Sequence, residues 1–142
     1  MLDSEPDTVL GPFSSPGAQA TPWASVSALL DEAEVCWLST VRPDGRPHVT
    51  PSSAARSLDG VCFTTGGRER KARNLEHDSR CVLTTGTNPL TGVDVVIESA
   101  WYRMGEAVVA GDIRPYRVAP VVGFAFGKLP TSSRTRYTWP SR

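Results

Sequence analysis

The residues with the most evident chemistry lie in one stretch, Phe63-Thr64-Thr65-Gly66-Gly67-Arg68-Glu69-Arg70-Lys71-Ala72-Arg73-Asn74-Leu75. A β-rich run, Val61 to Thr65, stops at two glycines, and a polar, helix-compatible segment follows with Arg68, Arg70, Lys71 and Arg73 in its first two turns. Cations at that end oppose the helix dipole, whose positive pole is N-terminal, at roughly 0.3–1 kcal/mol each in an exposed setting. Two readings account for them. A phosphate would meet free backbone N–H groups, the dipole and the basic side chains together, and the glycines would let it approach the backbone. A solvated basic helix start, with Arg and Lys serving propensity and solubility, explains the same residues without a ligand. On this stretch alone the two are level.

Other reactive groups are sparse. Cys36, Cys62 and Cys81 each sit inside an apolar run, with no C-x-x-C pairing and no neighbouring His, which reads as buried free thiols in a reducing cytosol and as no metal site. Ser52 and Ser53 beside Thr50 lack a His and an acid in any recognisable nucleophile arrangement. His77 reads as a surface helix residue.

The elements that must position these residues follow from the pattern. The chain has 142 residues, which suits one domain able to bury about two-thirds of the surface its unfolded chain exposes. Its 12 Gly and 12 Pro point to short elements joined by turns. Residues 1–20 carry Pro6, Pro12, Pro16, Gly11 and Gly17 with no apolar period and read as a disordered leader before a domain at 21–142. Thr21-Pro22-Trp23 predicts an N-cap with proline at the first helical position, and Trp23, Val26, Leu30 and Ala33 make one apolar stripe of a helix over 22–33.

Strands follow. Val35 to Val41 is β-branched and aromatic, Arg42-Pro43-Asp44-Gly45-Arg46-Pro47 supplies a hairpin connection, and His48 to Ser53 returns. Leu58-Asp59-Gly60 predicts the next turn and Val61 to Thr65 the third strand. After the basic helix come Cys81 to Thr85, a loop over 86–92, Val93 to Ala100, and Tyr116 to Phe126. Six strands and two short helices predict a mainly β protein, a small antiparallel barrel filled by side chains. The segment 128–142 is polar, with Arg134, Arg136, Tyr137 and Trp139 and no acid, and is expected to fold onto this chain or another.

Charge narrows the partners. Formal net charge is zero, but residues 1–34 hold six acids and no Lys or Arg, so 35–142 carries 15 basic residues against nine acidic ones. That balance suits an anionic cofactor or substrate better than nucleic acid, which would also call for aromatics among the basic residues, and 66–80 has none. No apolar run approaches the ~20 residues of a membrane span, and the acidic N-terminus is unlike a signal peptide. A soluble, cytoplasmic protein with no membrane partner is expected.

In order and spacing, Trp37-Leu-Ser-Thr-Val-Arg-Pro-Asp-Gly-Arg-Pro-His-Val-Thr-Pro51, Phe63-Thr-Thr, Arg70-Lys-Ala-Arg-Asn-Leu75, Phe124-Ala-Phe-Gly-Lys128 and Thr135-Arg-Tyr137 resemble the pyridoxamine 5'-phosphate oxidase-like family, the flavin and deazaflavin split barrels. The resemblance covers about 35–137, and the ordered set is much more specific than any one piece. It implies a six-stranded antiparallel split β-barrel that forms a homodimer, with the cofactor in a cleft between subunits. It implies that Arg70 and Lys71 hold the phosphate, helped by Asn74, Thr64 and Thr65. The tricyclic ring would lie along the second strand beside His48, Val49, Thr50, Pro51 and Ser52, and Lys128 and Arg136 would come from the partner's end of the cleft. Two cofactors are used across the family, FMN and the 8-hydroxy-5-deazaflavin coenzyme F-420, and the motif forms here are most similar to the actinobacterial deazaflavin branch.

Hydride transfer from a reduced deazaflavin needs orientation and exclusion of water more than a protein acid, so no catalytic residue is assigned. His48 is the nearest candidate acid, and a polar strand residue facing solvent or the cleft is its simpler reading. The implied function is an oxidoreductase that passes hydride from F-420 to a small unsaturated or quinone-like substrate. The alternatives are an FMN-dependent oxidoreductase and a truncated, non-catalytic cofactor-binding protein.

The chain departs from the family pattern in three places. Ala100 to Arg114 leaves no room for the helical excursion usual between the fifth and sixth strands. Glu69 stands where a small hydroxyl residue often precedes the basic pair, and its carboxylate would repel a phosphate unless it turned outward to pair with Arg73, its i+4 neighbour. Ser52, Ser53, Ala54 and Ala55 are small where bulky residues are usual, which leaves the ring less tightly covered.

Overall fold

The structure is a computed structural model that describes residues 4–57, 60–103 and 111–140. Ten elements run in the order β1 (Asp7–Leu10), α1 (Trp23–Glu32), β2 (Val35–Val41), β3 (Pro47–Ser57), β4 (Gly60–Gly66), α2 (Arg70–His77), β5 (Arg80–Thr85), β6 (Val93–Arg103), β7 (Ile113–Gly127) and β8 (Ser133–Thr138). The predicted turn at Leu58 and Asp59 lies outside the described residues.

The long strand β7 organises the sheet. Its first part, Ile113 to Val118, pairs antiparallel with β4, and its last part, Val122 to Gly127, pairs with β8. Along its other edge it pairs with β6 from Val93↔Gly127 to Arg103↔Tyr116. The neighbours β4-β3-β2-β5-β6 complete a ring that closes on β7, while β8 and β1 extend from its last part. The six expected strands therefore form a barrel that opens where β7 changes partner.

Two more strands make eight. Residues 7–10, expected in a disordered leader, are strand β1 along β8 from Asp7↔Thr138 to Leu10↔Thr135. Gly11 and Ser15 continue the contact by donating their N–H groups to Arg134 O at 2.6 Å and Ser132 O at 2.8 Å. The pairing gives backbone donors and acceptors partners they would otherwise seek in water, and four residues are too few to display a period in the sequence. The tail expected to fold onto something does so as β8, between β7 and β1.

Inside the barrel, strand alternation sorts the residues. In β2, Cys36, Leu38 and Thr40 are buried, whereas Val35 and Trp37 are about half exposed. Phe63, Leu83, Val95, Ile97, Tyr116 and Val118 fill the core. Helix α1 adds Trp23, Val26 and Leu30, with Trp23 edge-on to Tyr137 and Trp139 at 5.2 and 4.8 Å between ring centroids. Thr21 does not cap α1. Its N–H donates to Thr135 Oγ1 at 2.9 Å, its carbonyl accepts from Tyr137 Oη at 2.5 Å, and Pro22 is the capping residue.

The β2–β3 hairpin forms as its residues dictate. Gly45 takes φ +86°, and Asp44 Oδ1 accepts the Arg46 N–H at 3.0 Å. Among the described residues no helix is long and apolar enough to cross a membrane.

Candidate functional site

Helix α2 is anchored before it presents anything. Ala72 and Leu75 enter the core, and Asn74, fully buried, donates from Nδ2 to Thr40 Oγ1 of β2 at 3.0 Å. Asn74, implied as a phosphate ligand by the resemblance, therefore holds the helix against the barrel. Thr40 pairs in register with His48 of β3, so that anchor sets α2 beside the start of β3.

Three cations bear on the titration of His48. Its pKa is held below the ordinary 6.5, first by burial and then by the charges of Arg42, Arg70 and Lys71. Its Nδ1 and the Nε of Arg42 are both buried without a hydrogen-bond partner. The resemblance does not imply Arg42, although the hairpin register Val41↔Pro47 brings it next to His48.

Glu69 occupies the centre of the basic stretch. It is the N-cap residue of α2, and its Oε2 lies 3.0 Å from Lys71 Nζ and accepts from Thr65 Oγ1 at 2.9 Å. The Lys71 hydrogen bond, then Thr65, lowers the carboxyl pKa, with a smaller contribution from a hydrogen bond to the Gly66 backbone. The outward pairing with Arg73 does not form. At the helix start a carboxylate is favoured by the dipole, and Thr65 and Lys71 offer it two directed donors. Gly67, expected to admit a phosphate to the backbone, is crossed by Arg114. A Cβ there would lie 2.7 Å from Arg114 Cζ, in a guanidinium that binds Glu76 at 3.0 Å and Asp112 at 3.3 Å.

The set His48 to Ser52 does not share one surface. His48, Thr50 and Ser52 pair with Thr40, Leu38 and Cys36 on the buried face of β2, whereas Val49 and Pro51 pair with Ser39 and Trp37 on the other face. A planar ring lying on β3 meets alternate residues only. On the outer face the line continues through Ser53 and Ala55, which with Cys62, Phe63, Thr64 and Pro115 border a groove of about 280 Å³. The sequence marks Ser53 and Ala55 only as small residues beside the ring, and Cys62, expected as a buried thiol, is half-buried here; the period of two is the signal that groups them. Thr64 faces this groove, and Thr65 turns inward to Glu69.

The residues 23–115, well over half of the chain, match the sequence model of the pyridoxamine 5'-phosphate oxidase family. The chain belongs to this family. No curated protein sequence matches it. Its fold is similar to that of PhzG from Burkholderia lata 383, solved with tetrahydrophenazine-1-carboxylic acid, at TM-score 0.68 and 16% identity over 84% of each chain. It is also similar to an F420 reductase, at TM-score 0.57 and 19% identity over 68% of this chain and 93% of that one. The heme storage protein HutZ from Vibrio cholerae matches at TM-score 0.63 and 16% identity, over 74% of this chain and 93% of its own. These likenesses support the pyridoxamine 5'-phosphate oxidase-like fold and leave the ligand open.

Two residues implied for the cleft lie apart from α2 in this family member. Lys128 donates to Thr87 O, Thr87 Oγ1 and Asp94 Oδ1 at 2.8, 2.9 and 3.0 Å, so its three N–H donors are spent on tying down the loop after β5. Arg136 is exposed on β8, in register with Phe124 and Val9. Both belong to the part of the sheet beyond the point where β7 leaves β4. The shortened connection between β6 and β7 includes 104–110, which lies outside the described residues, but the strands flanking it pair directly as far as Arg103↔Tyr116.

Proposed function

We propose that the protein is an oxidoreductase that holds the phosphate end of a flavin-type cofactor at the start of α2, with the ring across the outer face of β3 and β4. The single observation that carries this reading is the pair of buried polar atoms, His48 Nδ1 and Arg42 Nε, left without partners where Asn74 anchors the basic helix α2 on Thr40, the register partner of His48. Like charges gather at a cost unless an anion joins them. In this reading Arg70, Lys71 and Arg42 bind the phosphate beside His48, and Thr64 and Ser53 orient the ring's polar edge. When bound, the ring supplies hydride chemistry, and the chain contributes orientation and exclusion of water.

The deazaflavin coenzyme F-420 is the leading cofactor and FMN the alternative, with a small unsaturated or quinone-like acceptor as substrate. Membership of the pyridoxamine 5'-phosphate oxidase family supports FMN, and the similarity to an F420 reductase supports F-420. A homodimer in the cytoplasm is part of the proposal. Trp37, Val49 and Val121 are each at least half exposed, and a second subunit is proposed to cover them, with its exposed Arg136 as the residue free to reach the groove. A second reading, a cofactor-binding protein without turnover, is favoured by the short β6–β7 connection.

Titration of the purified protein with FMN and with F-420, followed by fluorescence quenching and calorimetry at fixed salt, tests the proposal. Micromolar binding of one cofactor, and hydride delivery from its reduced form to a quinone, is the expected result. Binding without turnover favours the second reading, and binding of neither cofactor overturns both.

A further inference from the structure

We infer that Glu69 is a built-in competitor for the phosphate place, an internal carboxylate that must leave before a phosphate-bearing cofactor is fully bound. The inference rests on the phosphate reading given above and deepens it.

Every donor that the carboxylate engages belongs to the cradle a phosphate would use. Lys71 Nζ lies 3.0 Å from Oε2, and Thr65 Oγ1 donates to the same oxygen at 2.9 Å. A Cβ at Gly66 would lie 3.7 Å from Oε1, so the carboxylate rests against the glycine that was expected to admit the ligand. A carboxylate and a phosphate oxygen make the same demand, for directed N–H and O–H donors in a positive field. One set of donors cannot serve both.

Neighbouring acids are already committed. Glu76 and Asp112 both bind Arg114, on the other side of Gly67. Glu69 is therefore the acid of this helix start whose partners are cofactor-binding residues. Its side chain is about half exposed, and rotation towards solvent opens the cradle without unfolding α2, whose anchor is Asn74 on Thr40. Lys71 is then released to the ligand. A protein built in this way binds phosphate-bearing cofactors more weakly than its cation count suggests, and exchanges them more readily.

The test compares the wild type with Glu69→Gln and Glu69→Ala. Each is titrated with FMN and F-420 and with their counterparts lacking phosphate, riboflavin and 8-hydroxy-5-deazariboflavin. Thermal melting confirms that each variant is folded, and the alanine variant covers the case in which glutamine keeps both hydrogen bonds. Tightening of a phosphate-bearing cofactor by about tenfold or more, with its counterpart unmoved, is the expected result, since one freed charge-assisted contact is worth about that much. If the wild type binds FMN or F-420 and both variants bind it equally or more weakly, the competitor role is overturned and the phosphate site stands. Equal tightening of riboflavin also overturns it, because Glu69 would then act on the ring. Failure of all three proteins to bind either cofactor overturns the phosphate site itself, and the inference with it.

Discussion

The two helices of this barrel are held by opposite means. Helix α1 lays down three large apolar side chains, Trp23, Val26 and Leu30, and builds an edge-on aromatic group with Tyr137 and Trp139. It has no acid in its first turn and no base in its last, and its burial accounts for it fully. Helix α2 has eight residues, buries only Ala72 and Leu75 as apolar contacts, and is anchored by the amide of Asn74. Its basic residues stand at the end where the dipole disfavours them, and the carboxylate beside them uses donors suited to a ligand. The contrast separates scaffold from site. Helix α1 is explained by packing, and packing alone does not explain the charges at the start of α2.

Four measurements would break or sharpen that contrast. The largest effect is expected on the scaffold side. Trp23→Ala removes a side chain left only 7% exposed and is expected to cost about 3–5 kcal/mol in denaturant unfolding, with cofactor affinity of the folded fraction unchanged. A parallel loss of affinity would mean that α1 is also part of the site.

On the other side, Arg70→Ala with Lys71→Ala is expected to weaken FMN or F-420 binding by about 1.5–3 kcal/mol, because charge-assisted contacts are worth that and Glu69 already draws on Lys71. Stability should move by less than about 1 kcal/mol, since the pair broken is partly exposed. Unchanged affinity in calorimetry would remove the phosphate site.

Asn74→Ala joins the two sides. It takes the partner from buried Thr40 Oγ1 and is expected to cost about 1–3 kcal/mol of stability, with a loss of cofactor affinity as α2 shifts. Lost stability with full affinity would show that the cations are positioned without the anchor.

The smallest effect is a pH slope. His48 has a folded pKa below 6.5, so the unfolded chain binds its proton more tightly. Stability is therefore full above about 6.5 and falls as pH drops from there through the folded value. His48→Gln should flatten that slope in unfolding scans, and a saturating phosphate ligand should reduce it by offsetting the three cations. An unaltered slope would place its origin elsewhere.

Much of the fold was legible because its signals are local. Strand β2 runs from Val35 to Val41 as its side chains indicate, Asp44-Gly45 turns the hairpin, and Trp23, Val26 and Leu30 mark the buried side of α1. Alternation, turn chemistry and a helical stripe each need only a few neighbouring residues. Strand β1 was not legible, because its four residues are strand only through hydrogen bonds to a partner more than a hundred residues away. Nor was the inner and outer division of His48 to Ser52, which depends on which face of β3 the closed ring buries.

From the chain alone came the family, the order of the strands and the presence of a basic cluster after two glycines, all properties of neighbouring residue types. Only the tertiary structure decided that Arg42, Arg70 and Lys71 all act on His48, because a hairpin and a helix anchor bring separate segments to the same end of β3. It also decided that Glu69 faces Lys71 and Thr65 and turns away from Arg73. Sequence spacing favours the i+4 partner, but a strand end and a helix start held together by the barrel offer two donors at once, and directed donors in a positive field outweigh a solvent-exposed pair.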